Sequence, residues 1–242
     1  MEKLLIFMMN DKVFSLNEKW REDMKLDLRM YAVTDRTWTG EKSLFCQLEE
    51  ALQAGVTLVQ LREKKLDDDA FLEEARQIKD LTDSYGVPLI INDNVKVALA
   101  CDAAGVHIGQ EDMDAACVRR LLGPDKILGV TAKTVEQARR AEKAGADYLG
   151  SGAVFGSSTK REALPMTMER LKEITASVSI PVVAIGGIHK GNIRQLKGTG
   201  IAGAAVVSGI FGAEDIKKAT AELRRAVEEI LSEDKNTGKT EE

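Results

Sequence analysis

The feature that most constrains this chain is a regular alternation of short apolar runs with longer segments of helical periodicity. Eight runs rich in β-branched residues occur near 29–34, 56–61, 88–92, 104–108, 127–131, 147–151, 181–186 and 203–207. Segments in which apolar residues recur every three or four positions separate them, at about 43–54, 67–84, 94–101, 112–122, 134–144, 167–177, 190–198 and 214–231. Eight strand–helix units in one chain predict an α/β fold of the (β/α)8 TIM-barrel type.

The alternative is a doubly wound sheet, which usually carries a glycine-rich turn after its first strand. Here that turn reads Thr34-Asp35-Arg36-Thr37 and contains no GxGxxG pattern. The barrel is therefore favoured, as a single domain over 28–231. Residues 1–27 are predicted to be a short N-terminal extension, and 232–242 a polar, disordered tail.

Composition limits the partners. The 242 residues carry 39 acidic and 34 basic side chains, a net charge of −5, which argues against a nucleic-acid surface. Three cysteines without a CxxC pattern indicate buried free thiols in a reducing compartment. The apolar run at 4–9 is too short to span a membrane and lacks a secretory cleavage pattern. We expect a cytoplasmic protein with no membrane partner, and the sequence leaves open whether it forms a homodimer.

The sequence QLREK at 60–64 ends the second predicted strand. Because side chains alternate along a strand, Gln60, Arg62 and Lys64 share one face. In a barrel, the carboxyl ends of the strands form the active face, where Lys160 would join them from the sixth strand, with Asn92 between. Such a cluster suits a diphosphate leaving group, although Lys160 could be an ordinary loop lysine and the strand end could simply lie in solvent.

Asp93 and Asp112 follow the third and fourth strands, so both fall on the same face. Magnesium in proteins takes one or two carboxylates together with waters and phosphate oxygens. The two aspartates are therefore candidate magnesium ligands. They could also cap the helices that follow them, and the two roles do not exclude each other.

A second anion site is indicated after the last two strands. Gly186-Gly187 and Ser208-Gly209 match the place where many barrels bind a phosphate, and Ser157, Ser158 and Thr159 could add hydroxyl groups. We interpret His107 and His189 as structural, and no nucleophile with its base is evident. These residues alone indicate a barrel that binds a magnesium diphosphate and a monophosphate, as a transferase that expels pyrophosphate would.

With these motifs assembled, residues 28–231 resemble the thiamine phosphate synthase family. The resemblance rests on QLREK at 60–64, IND at 91–93, HIGQED at 107–112, GVTAKT at 129–134, Thr159-Lys160, AIGGI at 184–188 and VVSGIF at 206–211. It implies an enzyme that joins a hydroxymethylpyrimidine diphosphate to a thiazole phosphate and releases pyrophosphate. It also implies a dissociative path, in which pyrophosphate leaves before the thiazole nitrogen attacks the pyrimidine carbocation.

The same resemblance assigns roles to individual residues. The pyrimidine diphosphate would be held by Gln60, Arg62, Lys64, Asn92, Thr131 and Lys160, of which Arg62, Lys160 and Thr131 are the candidate catalytic residues. One Mg²⁺ per active site would be bound by Asp93 and Asp112. The thiazole phosphate would be held by Ser157, Ser158, Thr159, Gly187, Val207 and Ser208.

The chain departs from the family in two places. Thr131 stands where the family usually has serine, which keeps the hydroxyl and adds a methyl group. Ala153, Gly156 and Ser157 stand in a loop that commonly carries prolines and threonine. Two other functions remain open: a thiazole tautomerase, which would not need the cationic and acidic set, and a non-catalytic phosphate sensor, which would need only the monophosphate pocket.

Overall fold

The eight predicted strands close into a parallel barrel in the computed structural model, which describes residues 26–39, 42–156 and 166–237. The strands are β1 (Met30–Val33), β2 (Leu58–Leu61), β3 (Leu89–Asn92), β4 (Gly105–Ile108), β5 (Ile127–Thr131), β6 (Tyr148–Gly152), β7 (Val182–Ile185) and β8 (Gly203–Val206). Each strand pairs with the next, and β8 returns to β1 with Ala204 opposite Met30. The predicted TIM-barrel fold is confirmed.

Helices follow the strands. In the described part of the chain they are α1 (Leu44–Gln53), α2 (Asp68–Ser84), α3 (Val95–Ala100), α4 (Ala115–Leu122), α5 (Val135–Lys143), α6 (Met168–Ala176), α7 (Ser208–Phe211) and α8 (Ile216–Thr237). The predicted caps Asp67, Thr134 and Thr167 each accept a hydrogen bond from the backbone N–H three residues on. Capping chemistry therefore places the starts of α2, α5 and α6.

Alternation along the strands separates two buried layers. In β2, Val59 and Leu61 belong to the layer between strands and helices, whereas Leu58 faces the barrel interior. Tyr31 and Tyr148 are the largest side chains of the interior layer, and both are almost fully buried. Gln60 follows Leu58 on the inward face, so the same alternation delivers it to the top of the barrel.

The helix predicted at 190–198 is a single 3₁₀ turn, Ile193–Leu196. The side chain of Asn192 accepts a hydrogen bond from His189 N–H and donates one to Gly187 O, so it braces the preceding loop and does not cap a helix. Gly198, with a positive φ of 70°, ends the turn. Local side-chain bonding thus replaces the longer helix that apolar spacing indicated.

The C-terminal boundary also differs from the prediction. Helix α8 continues to Thr237, so residues 232–237 are helical and not part of a disordered tail. Asp234 accepts a hydrogen bond from Gly198 N–H, and Glu233 pairs with Lys197. Polar contacts that hold an exposed helix leave no apolar pattern in the sequence. The polar composition of 232–242 therefore predicted disorder where the helix continues. Residues 238–242 and 1–25 lie outside the described part of the chain.

Two further expectations can be compared with the structure. No helix in the described part of the chain is long and apolar enough to cross a membrane. All three cysteines are free, as predicted, but only Cys101 is buried; Cys46 is exposed and Cys117 is half-buried. The prediction of buried thiols is therefore wrong for Cys46, which lies on the outer side of α1.

Candidate active site

One pocket opens at the carboxyl ends of the strands and collects most of the predicted site residues that the structure describes. Its lining includes seven of them, from five separate strands and the loops that follow: Gln60, Arg62, Asn92, Thr131, Gly187, Val207 and Ser208. Lys64, Asp93 and Asp112 follow β2, β3 and β4 and are not among the residues that line the pocket. The rule that barrel sites form at this face therefore brings the two predicted anion sites into one cavity.

Arg62 is held in place by a carboxylate that the sequence analysis did not assign. Its Nη1 lies 2.6 Å from Asp35 Oδ2, and both side chains are largely buried. The backbone N–H of Arg62 donates to Thr34 Oγ1 at 3.0 Å. Asp35 in turn accepts from Thr37 N–H at 2.9 Å, so the loop after β1 is tied to the end of β2. The guanidinium is consequently preorganised at the pocket wall.

Lys64 and Asp93 form an ion pair, with Lys64 Nζ 2.5 Å from Asp93 Oδ2. Asp93 adopts a positive φ of 62°, which is uncommon for a residue with a side chain. Its backbone N–H donates to His107 O on β4 at 2.8 Å, which anchors this conformation. The capping alternative is wrong for Asp93, because Asn94 caps α3 by accepting from Val97 N–H.

Asp112 is likewise not a helix cap. Helix α4 begins at Ala115 and is capped by Asp114, whereas Asp112 Oδ2 accepts from Gly109 N–H at 2.7 Å. This bond folds the loop after β4 back on itself and keeps the carboxylate exposed. Among the described residues no three His, Cys, Asp or Glu side chains form a metal cluster. A pair of carboxylates is a donor set that suits Mg²⁺, which keeps waters and substrate oxygens as its other ligands.

A hydrogen-bonded chain of side chains crosses the barrel beneath the pocket. Gln60 Nε2 lies 2.6 Å from Tyr31 Oη, which lies 2.7 Å from Tyr148 Oη. Tyr148 Oη is 3.0 Å from His107 Nδ1, and His107 Nε2 is 3.0 Å from Thr131 Oγ1. The five residues come from five different strands. Two of them, Gln60 and Thr131, are predicted substrate ligands, so the chain joins opposite sides of the site.

Two glycines make room for this chain. A Cβ on Gly129 of β5 would overlap the ring of Tyr148 and the imidazole of His107, and one on Gly150 of β6 would crowd the same imidazole. Burial raises the pKa of both phenols, Tyr31 and Tyr148, so each keeps its proton. The barrel interior is thus built around a polar chain and not only around apolar layers.

The opposite end of the pocket is formed by backbone. Gly186 and Gly187 have φ values of 101° and 66°, a conformation that glycine adopts at little cost. A Cβ on Gly187 would lie 2.7 Å from Phe155 O, so the chain also needs glycine for close packing. Val207 and Ser208 follow β8 at the start of the short helix α7. This end can offer N–H groups and one hydroxyl to an anion.

Four predicted residues, Ser157, Ser158, Thr159 and Lys160, lie outside the described residues. Conversely, the pocket contains residues that we did not assign to it: Asp35, Tyr31, His107 and Lys133. The interpretation of His107 as structural is incomplete, because its ring contacts Thr131. The sequence did contain a signal that could have assigned Asp35 to the pocket. Asp35 follows the end of β1, and each strand end contributes to this face of the barrel. Tyr31 lies inside its strand and gave none.

Fold and pocket together define a (β/α)8-barrel enzyme with a polar site at the carboxyl ends of its strands. The family model for thiamine monophosphate synthase matches residues 30–210. The chain therefore belongs to the thiamine monophosphate synthase family, a family of transferases.

Individual relatives agree. The chain is 52% identical over 198 residues to a thiamine-phosphate synthase of Clostridium tetani, covering 82% of this chain and 95% of that protein. It is 51% identical over 205 residues to thiamine-phosphate synthase 2 of Streptococcus pneumoniae, covering 85% and 98%. Among solved structures, a thiamine phosphate pyrophosphorylase from Pyrococcus furiosus superposes with a TM-score of 0.79 at 42% identity, covering 86% of this chain and 99% of that one.

Proposed function

We propose that this enzyme joins 4-amino-2-methyl-5-hydroxymethylpyrimidine diphosphate to 4-methyl-5-(2-hydroxyethyl)thiazole phosphate, giving thiamine phosphate and pyrophosphate in thiamine biosynthesis. The observation that carries the proposal is the convergence of a cationic wall and a glycine-built anion end in one pocket. Two phosphorylated substrates need two such ends. A chain of this family with both ends intact is suited to bring the two substrates together.

At the diphosphate end, Arg62 is the best-fixed cation. Its ion pair with Asp35 orients the guanidinium without neutralising the site as a whole, because Lys133 also lines the pocket. Negative charge grows on the leaving pyrophosphate as the carbon–oxygen bond breaks, and fixed cations stabilise that charge. We assign the same role to Lys160, which follows β6 in the sequence. Asn92 and Gln60 supply amide groups to the pyrimidine.

Asp93 and Asp112 would hold one Mg²⁺, which when bound would neutralise diphosphate oxygens. The two carboxylates follow adjacent strands, and neither caps a helix. Lys64, now paired with Asp93, would be released toward the diphosphate. An aspartate with a positive φ is a strained arrangement of the kind found at functional sites, which supports a ligand role.

At the monophosphate end, backbone N–H groups after β7 and β8 and the Ser208 hydroxyl would hold the thiazole phosphate. The described part of the pocket shows no Ser-His-Asp set and no cysteine nucleophile. A dissociative path needs neither, because the pyrimidine carbocation is captured directly by the thiazole nitrogen. The cationic wall favours this synthase over a tautomerase, which handles no diphosphate. The cytoplasmic location stays a prediction, and the sequence leaves a homodimer open.

The test is to mix both substrates with Mg²⁺ and follow pyrophosphate and thiamine phosphate together. We expect equal amounts of both products, formation that stops with EDTA, and a strong loss of turnover in Lys160→Ala. Lys172→Ala, an exposed lysine on α6, is the matched control and should behave as wild type. Absence of product, or turnover that survives EDTA, contradicts the proposal.

A further inference from the structure

The chain of hydrogen-bonded side chains from Gln60 to Thr131 has a direction. This direction follows from the number of hydrogens that each side chain can donate. Both phenols are protonated, so each carries one hydrogen to donate. The Gln60 amide nitrogen can only donate, and it lies 2.6 Å from Tyr31 Oη. Tyr31 therefore accepts from Gln60, and Tyr148 Oη, 2.7 Å away, is the acceptor that the hydrogen-bonded chain offers for the hydrogen of Tyr31.

The same reasoning reaches the imidazole. Because Tyr148 accepts from Tyr31, its hydrogen points to His107 Nδ1 at 3.0 Å, and that nitrogen must be unprotonated. The ring hydrogen of the neutral imidazole then lies on Nε2, which donates to Thr131 Oγ1 at 3.0 Å. Thr131 accepts there, and its own hydrogen is left for a ligand in the pocket.

The opposite direction is chemically consistent but unsuited to an anion. If the carbonyl of Gln60 faced Tyr31, every bond would reverse, and Thr131 would donate to His107 Nε2. Its hydroxyl would then turn lone pairs toward the ligand, and lone pairs repel the oxygens of a diphosphate. The cations Arg62 and Lys133 also line the pocket, so a hydroxyl donor at Thr131 would add to the groups that attract an anion.

We propose that Tyr148, itself hydrogen-bonded to Tyr31, is a positioning residue that holds His107 as the Nε2-protonated tautomer, so that Thr131 presents a hydroxyl donor to the pyrimidine diphosphate. The benefit of this hydroxyl donor to the pyrimidine diphosphate rests on the proposed function. The position of the proton on the His107 imidazole does not rest on it. Thr131 is the end of a hydrogen-bonded chain that passes through residues on four other strands. This explains why a buried polar chain is kept where apolar packing would otherwise suffice.

The test uses ¹⁵N NMR of the histidine rings in the substrate-free protein at neutral pH. The chain has two histidines, so His189→Gln leaves the signals of His107 alone. We expect a pyridine-type shift for Nδ1 and a pyrrole-type shift for Nε2. The reverse pattern, or two pyrrole-type nitrogens, overturns the proposal.

Two variants that each remove one buried phenol hydroxyl form a matched pair. Tyr31→Phe leaves His107 as the acceptor for the Tyr148 hydrogen, so the Nε2-protonated tautomer should persist. Tyr148→Phe removes the donor to Nδ1, so the shifts should move toward an average of the two tautomers. Equal ¹⁵N shifts of His107 in the two variants contradict the proposal. If Tyr148→Phe does not fold, the shifts of wild type and of Tyr31→Phe test the proposal. A correct tautomer in a protein that makes no thiamine phosphate would refute the proposed function alone.

Discussion

Asp35 Oδ2 lies 2.6 Å from Arg62 Nη1, and both side chains are largely shielded from water. The two residues follow adjacent strands of the barrel, β1 and β2, and both line the pocket. A buried ion pair of this kind fixes the direction of a guanidinium more than it adds stability. Asp35 is therefore the residue that determines where the cation of QLREK points.

We expect Asp35→Asn to lower kcat/KM for the pyrimidine diphosphate by about tenfold or more, which is ~1.4 kcal/mol of transition-state stabilisation. Asparagine keeps an acceptor for Thr37 N–H, so the loop should remain folded, while the charge that holds Arg62 is lost. Steady-state kinetics with each substrate varied in turn measure the effect. An unchanged kcat/KM for the pyrimidine diphosphate contradicts this role. A decrease in kcat/KM for the thiazole phosphate alone contradicts it as well.

A second prediction concerns magnesium. Asp112→Asn should raise the Mg²⁺ concentration for half-maximal activity by at least about tenfold, because an amide is a much weaker ligand than a carboxylate. Asp114→Asn is the matched control, since Asp114 caps α4 and asparagine caps equally well. Activity measured over a Mg²⁺ titration separates the two variants. Identical titrations for Asp112→Asn and wild type would remove Asp112 from the site.

The third prediction is a pH dependence of stability that originates behind the pocket wall. Arg36 bridges two acids, with Nε 2.8 Å from the buried Glu63 and Nη2 2.5 Å from Glu74. Burial, followed by the negative charge of Glu63, raises the pKa of Glu74. The contribution of Glu74 to the free energy of unfolding is therefore fully present at a pH below the ordinary pKa of glutamate. That contribution is lost as the pH rises through the raised value.

Glu74→Gln should remove this loss. We expect the variant to match wild type in acid and to become more stable than wild type as the pH rises, as measured by urea unfolding between about pH 4 and 8. Glu73→Gln makes the same charge change at an exposed position of α2 and should show no such trend. A stability difference between Glu74→Gln and wild type that stays flat, or falls with pH, would contradict the assignment.

The fourth prediction concerns the room made for the polar chain. Gly129→Ala places a methyl group into the ring of Tyr148 and the imidazole of His107, so it should destabilise the fold by about 1–3 kcal/mol. Thermal unfolding measures this cost. Gly86→Ala, at a surface position with space around it but a positive φ of 65°, controls for simple loss of a glycine. Unperturbed NMR signals of His107 in Gly129→Ala would show that the chain does not need this space.

Much of the fold could be predicted from the sequence because its signals are local. Strand and helix periodicity, with caps such as Asp67 and Thr134, are properties of neighbouring residues. The rule that barrel sites form at strand ends then identified Gln60, Arg62, Asn92 and Thr131 without any distances. The end of α8 was misjudged because exposed polar anchors such as Asp234 leave no such local pattern.

The sequence by itself therefore determined the barrel and the residues that face its mouth, since both follow from the order of elements and the alternation of side chains. Only the tertiary structure decided which of those residues touch. Barrel closure and strand register bring Asp35 to Arg62 and place Tyr31 and Tyr148 in the centre of the interior. Contacts between side chains of distant strands depend on that closure, and no local pattern in the chain encodes them.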